Sequence, residues 1–155
     1  MERSNFELKK VKILDNGGTE MISRVTFADQ TVNHADITTK STVEPHDDLV
    51  VPIRELKKYL QKVVPLSKGF EDRIKATGIA LSGKDENMGV IITGKYETPS
   101  GKVVAINSDR ITLEGDAYGF EAEMAVILDT IADECFLYAY EGKQAQLSLF
   151  PPEGE

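Results

Sequence analysis

Tryptophan is absent from this chain, and cysteine occurs only once among its 155 residues. A single cysteine excludes an internal disulfide framework and a cysteine-rich zinc site. Cys135 lies in an apolar helical stretch, which favours a buried core thiol over a nucleophile. No apolar run approaches the length that spans a bilayer, and the first ten residues lack the apolar region of a signal peptide. We therefore expect a cytoplasmic protein that is not inserted in a membrane.

Positive charge is scarce and unevenly distributed. The formal net charge is -8; residues 1–80 hold 13 Lys and Arg against 12 Asp and Glu, whereas residues 81–155 hold 5 against 14. Proteins that bind duplex nucleic acid usually need excess positive charge to displace counterions from phosphates. A weak nucleic-acid contact, if the protein makes one, is therefore expected to use the first half.

Period-two alternation predicts two groups of strands. Residues 6–14 and 19–27 flank the turn signal Asp15-Asn16-Gly17-Gly18, which indicates a hairpin, and a phase slip at Lys9-Lys10 is compatible with a bulge. Further strands are predicted over these segments: 30–40, 73–82, 89–97, 103–108 and 110–114.

Two amphipathic helices are predicted, one after each group of strands. Pro52 is expected at the first helical position, followed by an apolar face of Ile53, Leu56, Leu60 and Val63. The second helix runs from about Phe120 to about Tyr140, and Gly142 is a natural stop. Its apolar stripe is Phe120, Met124, Ile127, Leu128, Ile131, Cys135 and Tyr138.

The pattern predicts an α+β fold in which helices cover antiparallel sheet. Strands followed by a helix occur twice, which indicates a pseudo-duplicated arrangement, although the two halves do not visibly match in sequence. We predict one globular domain over residues 1–142, with halves 1–65 and 66–142, and a flexible C-terminal docking tail over residues 143–155.

Two segments resemble motifs of enzymes, but each lacks the residues or the structural context that the motif requires. Residues 78–84 fit the GxxxxGK spacing, but Asp85 stands where a phosphate-binding loop has Ser or Thr, and the segment has strand character. His34 and Asp36, with the His46-Asp47-Asp48 run, are the only grouping that resembles metal ligands, and a solvated loop with a capping aspartate explains the run better. We expect no cofactor and no catalytic residues.

Lysines form the best candidate basic surface: Lys9, Lys10 and Lys12 with Lys57, Lys58 and Lys62. Lysines on an edge strand also protect a sheet from aggregation, and this explanation is favoured over a nucleic-acid patch.

The chain end is the most informative segment. After the helix stop come Gln146, Leu147, Ser148, Leu149 and Phe150, followed by two prolines and an acidic end. Terminal segments are usually mobile unless something holds them, and Pro151 biases Phe150 towards an extended backbone. Short extended peptides with apolar side chains bind by placing those side chains in pockets.

The five residues 146–150 are similar to the pentapeptide by which bacterial proteins dock on the DNA sliding clamp, and they match that consensus at every position. The resemblance implies that Gln146 is the polar anchor, that Leu149 and Phe150 fill an apolar cleft, and that Leu147 and Ser148 connect them. It also implies an accessory role in bacterial or phage DNA replication or repair, with the clamp as partner.

Three alternatives remain open. The apolar residues of the tail could pack on their own domain. The protein could bind single-stranded nucleic acid through the lysines of the first half and exposed aromatic residues such as Tyr59 or Tyr96. It could also be an enzyme whose site is assembled from scattered residues around His34 and His46.

Overall fold

A computed structural model describes residues 1–27, 33–64 and 71–145 of the chain. The described residues form three α-helices and seven strands that belong to one antiparallel sheet. In chain order they are β1 Phe6–Ile13, β2 Thr19–Thr26, β3 His34–Ser41, α1 Asp47–Glu55, α2 Lys57–Val63, β4 Ile74–Ser82, β5 Gly89–Glu97, β6 Val103–Asn107, β7 Ile111–Thr112 and α3 Glu121–Tyr140.

The predicted hairpin is confirmed. In its turn Gly17 has a φ of +90°, a conformation that glycine adopts without strain, and the Gly18 N–H donates to Asn16 Oδ1 over 2.9 Å. The register of β1 on β2 shifts between Leu8 and Lys10, so the bulge predicted from the phase slip is also confirmed. Strand β3 extends this pair into a three-stranded meander.

The second group of strands repeats this arrangement. Strands β4, β5 and β6 pair in succession, and the short β7 pairs with the beginning of β5. The two groups meet where β1 pairs antiparallel with β4, which gives the order β3-β2-β1-β4-β5-β6. The predicted α+β class is therefore confirmed, and the two predicted halves contribute to a single continuous sheet.

The helix predicted to begin at Pro52 begins five residues earlier, so that prediction is wrong. The side chain of His46 caps α1, because its Nδ1 accepts the Asp48 N–H over 3.0 Å. Pro52 lies inside α1 and cannot donate to the carbonyl of Asp48 one turn before. Asp48 lies in the exposed first turn, where water can take the place of the missing donor. The helical path is broken at Leu56, and α2 follows.

The core lies between one face of the sheet and the helices. Alternate side chains of the inner strands are buried against α1, α2 and α3, including Val11, Met21, Ile79 and Ile92. Gly94 allows close approach of α2, since a Cβ there would lie 2.7 Å from Leu60 Cδ2. The predicted apolar stripe of α3 supplies the opposite wall of this core. Residues at the intervening strand positions point to the other side of the sheet, which the described part of the chain leaves uncovered.

Candidate functional site

The predicted docking peptide itself, Gln146 to Phe150, lies outside the described residues. The structure does describe the segment that leads to it. The helix ends as predicted: the Lys143 N–H donates to the Leu137 carbonyl over 3.1 Å, and Gly142 adopts a φ of +71°. This is the closure that a glycine just past a helix end permits.

Ion pairs and hydrogen bonds hold residues 143–145 against the rest of the globular domain. Lys143 Nζ lies 2.8 Å from Asp48 Oδ2 and 2.9 Å from Glu134 Oε1, and these two partners raise the pKa of Lys143. The Ala145 N–H donates to the Glu44 carbonyl over 2.8 Å, next to a single bridge between Gln144 and Pro45. The first three residues of the predicted flexible tail are thus held beside the start of α1, and the five-residue motif begins directly after them.

The residues considered as metal ligands have other roles, although His46 Nδ1 lies 3.5 Å from Asp48 Oδ2. His46 caps α1, so the cap is a histidine and not the predicted aspartate. Asp48 is paired with Lys143, whose hydrogen bond lowers the pKa of the Asp48 carboxyl. Asp36 forms a two-pronged ion pair with Arg24, which likewise lowers the pKa of Asp36. Among residues 1–27, 33–64 and 71–145, no three His, Cys, Asp or Glu side chains are placed to hold a metal ion.

Two other sequence predictions about chemistry are confirmed. Cys135 is fully buried in the core, and its burial raises the pKa of the thiol. The GxxxxGK segment has the predicted strand character, since residues 78–82 complete β4 and the next long element is β5. Only a three-residue 3-10 helix, Asp85–Asn87, separates the segment from β5, so it does not lead into an α-helix at whose start phosphates could bind.

The aromatic residues proposed as base-stacking platforms are placed differently. Tyr59 is 0% exposed, lies with its ring centroid 4.6 Å from that of Phe120, and donates to Glu123 Oε1 over 2.9 Å. Burial, assisted by this hydrogen bond, raises the pKa of Tyr59 to about 12. Tyr96 is half-buried against the core. The prediction that Tyr59 is exposed is therefore wrong, because its helical face packs inward.

The predicted lysine surface is divided between the two sides of the molecule. Lys9, Lys10 and Lys12 lie on β1, whereas Lys58 and Lys62 lie on α2 over the rings of Tyr59 and Phe120. The uncovered side of the sheet instead joins the lysines of β1 to basic residues of other strands. We call this side the open face; its basic members are Lys9, Lys10, Lys12, Arg24, Lys40, Lys75 and Lys95.

Strand register defines how these charges are arranged. Lys12 lies opposite Glu20 on one side and Gly78 on the other, and Lys40 flanks Glu20 at the edge. Lys75 and Lys95 are direct cross-strand neighbours. Period-two alternation in the sequence predicts on which face of its own strand each lysine lies. The pairing of β1 with β4, which brings the two groups together, has no local signal.

A small cleft lies between the end of α1 and the edge of the open face. It forms where β1 and β4 stop pairing, beyond the register shift between Ala76 and Gly78. The cleft has a volume of about 110 Å³. Its charged lining is Arg54, Lys75, Lys95 and Asp15, which pairs with Lys95, and its other lining residues are Ile13, Leu14, Ile53, Ala76 and Thr77. Like charges directly opposite on neighbouring strands are unfavourable unless an anion lies near them.

Helix α3, on the other side of the sheet, has the opposite charge. Helix α3 carries five carboxylates and no basic residue over Glu121–Tyr140. Burial would raise the pKa of the Glu121 carboxyl, but hydrogen bonds from backbone N–H groups at the start of the helix, among them that of Tyr118, hold its pKa below the usual value. Glu121 therefore serves the helix start, and the acidic side chains further along α3 lie mainly on its exposed side.

Comparison with protein-family models, with curated proteins and with solved structures finds no match to this chain. Within the described ranges, no helix has the length and apolar character needed to cross a membrane.

Proposed function

We propose that the protein is an accessory factor of bacterial or phage DNA replication or repair that docks on the DNA sliding clamp through residues 146–150. The observation that carries the proposal is the five-position match of Gln146, Leu147, Ser148, Leu149 and Phe150 to the clamp-docking pentapeptide. In this role Gln146 is the polar anchor, and Leu149 and Phe150 occupy the apolar cleft of the clamp. The protein is then a binding module and not an enzyme.

The anchored exit of the chain supports this proposal. Because residues 143–145 are bonded to the loop before α1, the motif starts at a defined point on the surface of the domain. Fewer residues then have to be ordered when the peptide binds, which lowers the entropic cost of docking. The globular domain is thereby delivered to the clamp close to its surface.

Affinity for a single clamp site should be modest. Burial of two large apolar side chains contributes about 1.5–3 kcal/mol each, and ordering of the peptide opposes this gain. We expect a dissociation constant on the order of micromolar.

Retention on immobilised bacterial sliding clamp tests the proposal. The full chain should be retained, and the double variant Leu149→Ala/Phe150→Ala should lose retention at least tenfold. Ser148→Asp is a matched control, since the consensus accepts either residue at that position, and it should bind like the natural chain. Circular dichroism of each variant checks that the domain is folded, so that a loss of retention can be assigned to the peptide. Equal retention of the natural chain and the double variant would overturn the proposal.

A further inference from the structure

The open face of the sheet is positively charged in a chain that is negative overall. The strands place seven basic side chains and four carboxylates on this face, and Asp15 of the β1–β2 turn pairs with Lys95 at its end, whereas the whole chain has a net charge of -8. The four carboxylates are Glu7, Glu20, Asp36 and Glu97. Segregation of charge to one face indicates a partner that carries negative charge.

Several lysines on this face have no anionic partner among the described residues. Lys9 pairs with Glu7, Arg24 with Asp36, and Lys95 with Asp15. In the part of the chain that the structure describes, no carboxylate lies within 4.0 Å of the ammonium groups of Lys10, Lys12, Lys40 and Lys75. These four groups are available to an external anion.

No long side chain separates the lysines of β1 from the open-face side chains of β5. Lys10 lies opposite Ala80 on β4, and Lys12 lies opposite Gly78. Strands β1 and β5 flank β4 and are about 10 Å apart at the usual strand spacing of about 4.8 Å. An extended anion could therefore lie along β4 beside Lys10 and Lys12.

The spacing of charge fits a phosphate chain. Lys10 and Lys12 are two residues apart on one strand, so their side chains are separated by about 7 Å. Phosphates recur at about 3.4 Å of rise per strand of duplex DNA, so this separation spans about two of them. None of the face positions just described carries an aromatic ring, so base stacking is not available there.

We infer that the open face binds the phosphate backbone of double-stranded DNA without reading its sequence. Four neutralised phosphates predict that log K falls with log salt with a slope of about -3 to -4. Because the chain is acidic overall, the contact is weak by itself. The inference does not require clamp docking; if both hold, tethering at the clamp raises the effective concentration of DNA at this face.

Fluorescence anisotropy with a labelled 30-base-pair duplex, measured across a salt series from low to physiological concentration, tests this inference. The natural chain should bind at low salt. The triple variant Lys10→Gln/Lys12→Gln/Lys75→Gln should bind at least tenfold more weakly at low salt and with a shallower salt slope. The matched control is Lys57→Gln/Lys58→Gln/Lys62→Gln, which changes the net charge equally but alters α2 on the other side. The control should retain most of the binding.

Several outcomes would overturn the inference. Equal losses in the two triple variants would mean that only the overall charge matters. Absence of binding by the natural chain at low salt would remove the DNA contact. Stronger binding to single-stranded DNA than to the duplex would assign the face to single strands. Equal competition by polyglutamate would assign it to an acidic peptide. A dimer that only the first triple variant abolishes would assign it to a second copy of the chain. The Leu149→Ala/Phe150→Ala variant should bind DNA normally, which separates this inference from the clamp proposal.

Discussion

The two faces of the sheet are formed by the same strands but differ in composition and burial. Along β5, Ile92 is fully buried against the helices, whereas its neighbour Ile91 is half-buried on the open face. The covered face is nearly all apolar, and the open face mixes lysines, carboxylates and small residues. Because successive side chains of a strand point to opposite sides, stability and surface charge are encoded at alternate positions.

This difference indicates which surfaces a partner could recognise. The covered face explains why the chain folds, but its side chains are inaccessible to a partner. The open face and the chain end contribute little to the core and carry the features that a partner could recognise. The two faces therefore predict separable effects of mutation.

The largest effect is expected from a matched pair on β5. Ile92→Ala removes a fully buried side chain and should lower the free energy of unfolding by about 2–5 kcal/mol. Ile91→Ala makes the same change on the open face and should cost about 1 kcal/mol or less. Chemical denaturation of both variants measures the difference. Similar costs would show that the open face is covered by something in the folded protein.

Gly78 is the open-face position at which a substitution should destabilise the fold as strongly as a substitution in the core. A Cβ at Gly78 would lie 2.3 Å from the Val11 carbonyl oxygen and 2.9 Å from Lys12 Cα. Gly78→Ala must therefore separate β1 from β4, and we expect a loss of about 1–3 kcal/mol in thermal or chemical unfolding. A variant as stable as the natural chain would contradict the close approach of these strands.

Alkaline pH should weaken the covered side selectively. The pKa of Tyr59 is about 12 in the folded protein and about 10 in the unfolded chain. Between these two pH values the folded state keeps the Tyr59 proton that the unfolded state loses. The contribution of Tyr59 to the free energy of unfolding is therefore fully present below about pH 10 and is lost between about pH 10 and 12.

Tyr59→Phe tests this pH dependence and removes the hydrogen bond to Glu123, which should cost about 0.5–1.5 kcal/mol at neutral pH. It should also flatten the decline in stability between about pH 10 and 12. Unfolding midpoints measured across this range compare the two proteins, and an identical decline in both would assign the effect to other groups.

The smallest effect is expected on the open face itself. Replacement of Lys10, Lys12 and Lys75 with Gln should change the free energy of unfolding by less than about 0.5 kcal/mol per residue, since these side chains make no ion pair with a described carboxylate. Thermal denaturation of the triple variant checks this. A large loss would mean that these lysines support the fold, and the separation of the two faces would fail.

Local patterns were sufficient to predict most elements of the fold. Strand alternation and the apolar stripe of α3 predict their elements well, because each depends on periodicity within a short window. The position of Pro52 was predicted wrongly, because the His46 cap that starts the helix earlier is an uncommon one. The prediction that Tyr59 is exposed is wrong because the aliphatic residues that define the apolar face of this helix do not indicate that Tyr59 shares it.

The features that the sequence does not predict depend on contacts between residues distant in the chain. No local signal indicates that β1 pairs with β4, so the open face could not be assembled from the sequence, and Lys75 and Lys95 were not grouped with Lys10 and Lys12. The candidate docking peptide was found by resemblance over five residues, and its structural role remains a prediction. The anchoring of Lys143 depends on Asp48, which is distant in the chain.

The junction between β1 and β4 also has a consequence for the order of folding. Only three residue pairs join these strands, whereas eight join β4 to β5. Each three-stranded meander closes through contacts that are near in the chain, but the junction closes a loop of about 70 residues between Lys10 and Ala80. We expect the two meanders to form early and their docking across this narrow seam to set the folding rate.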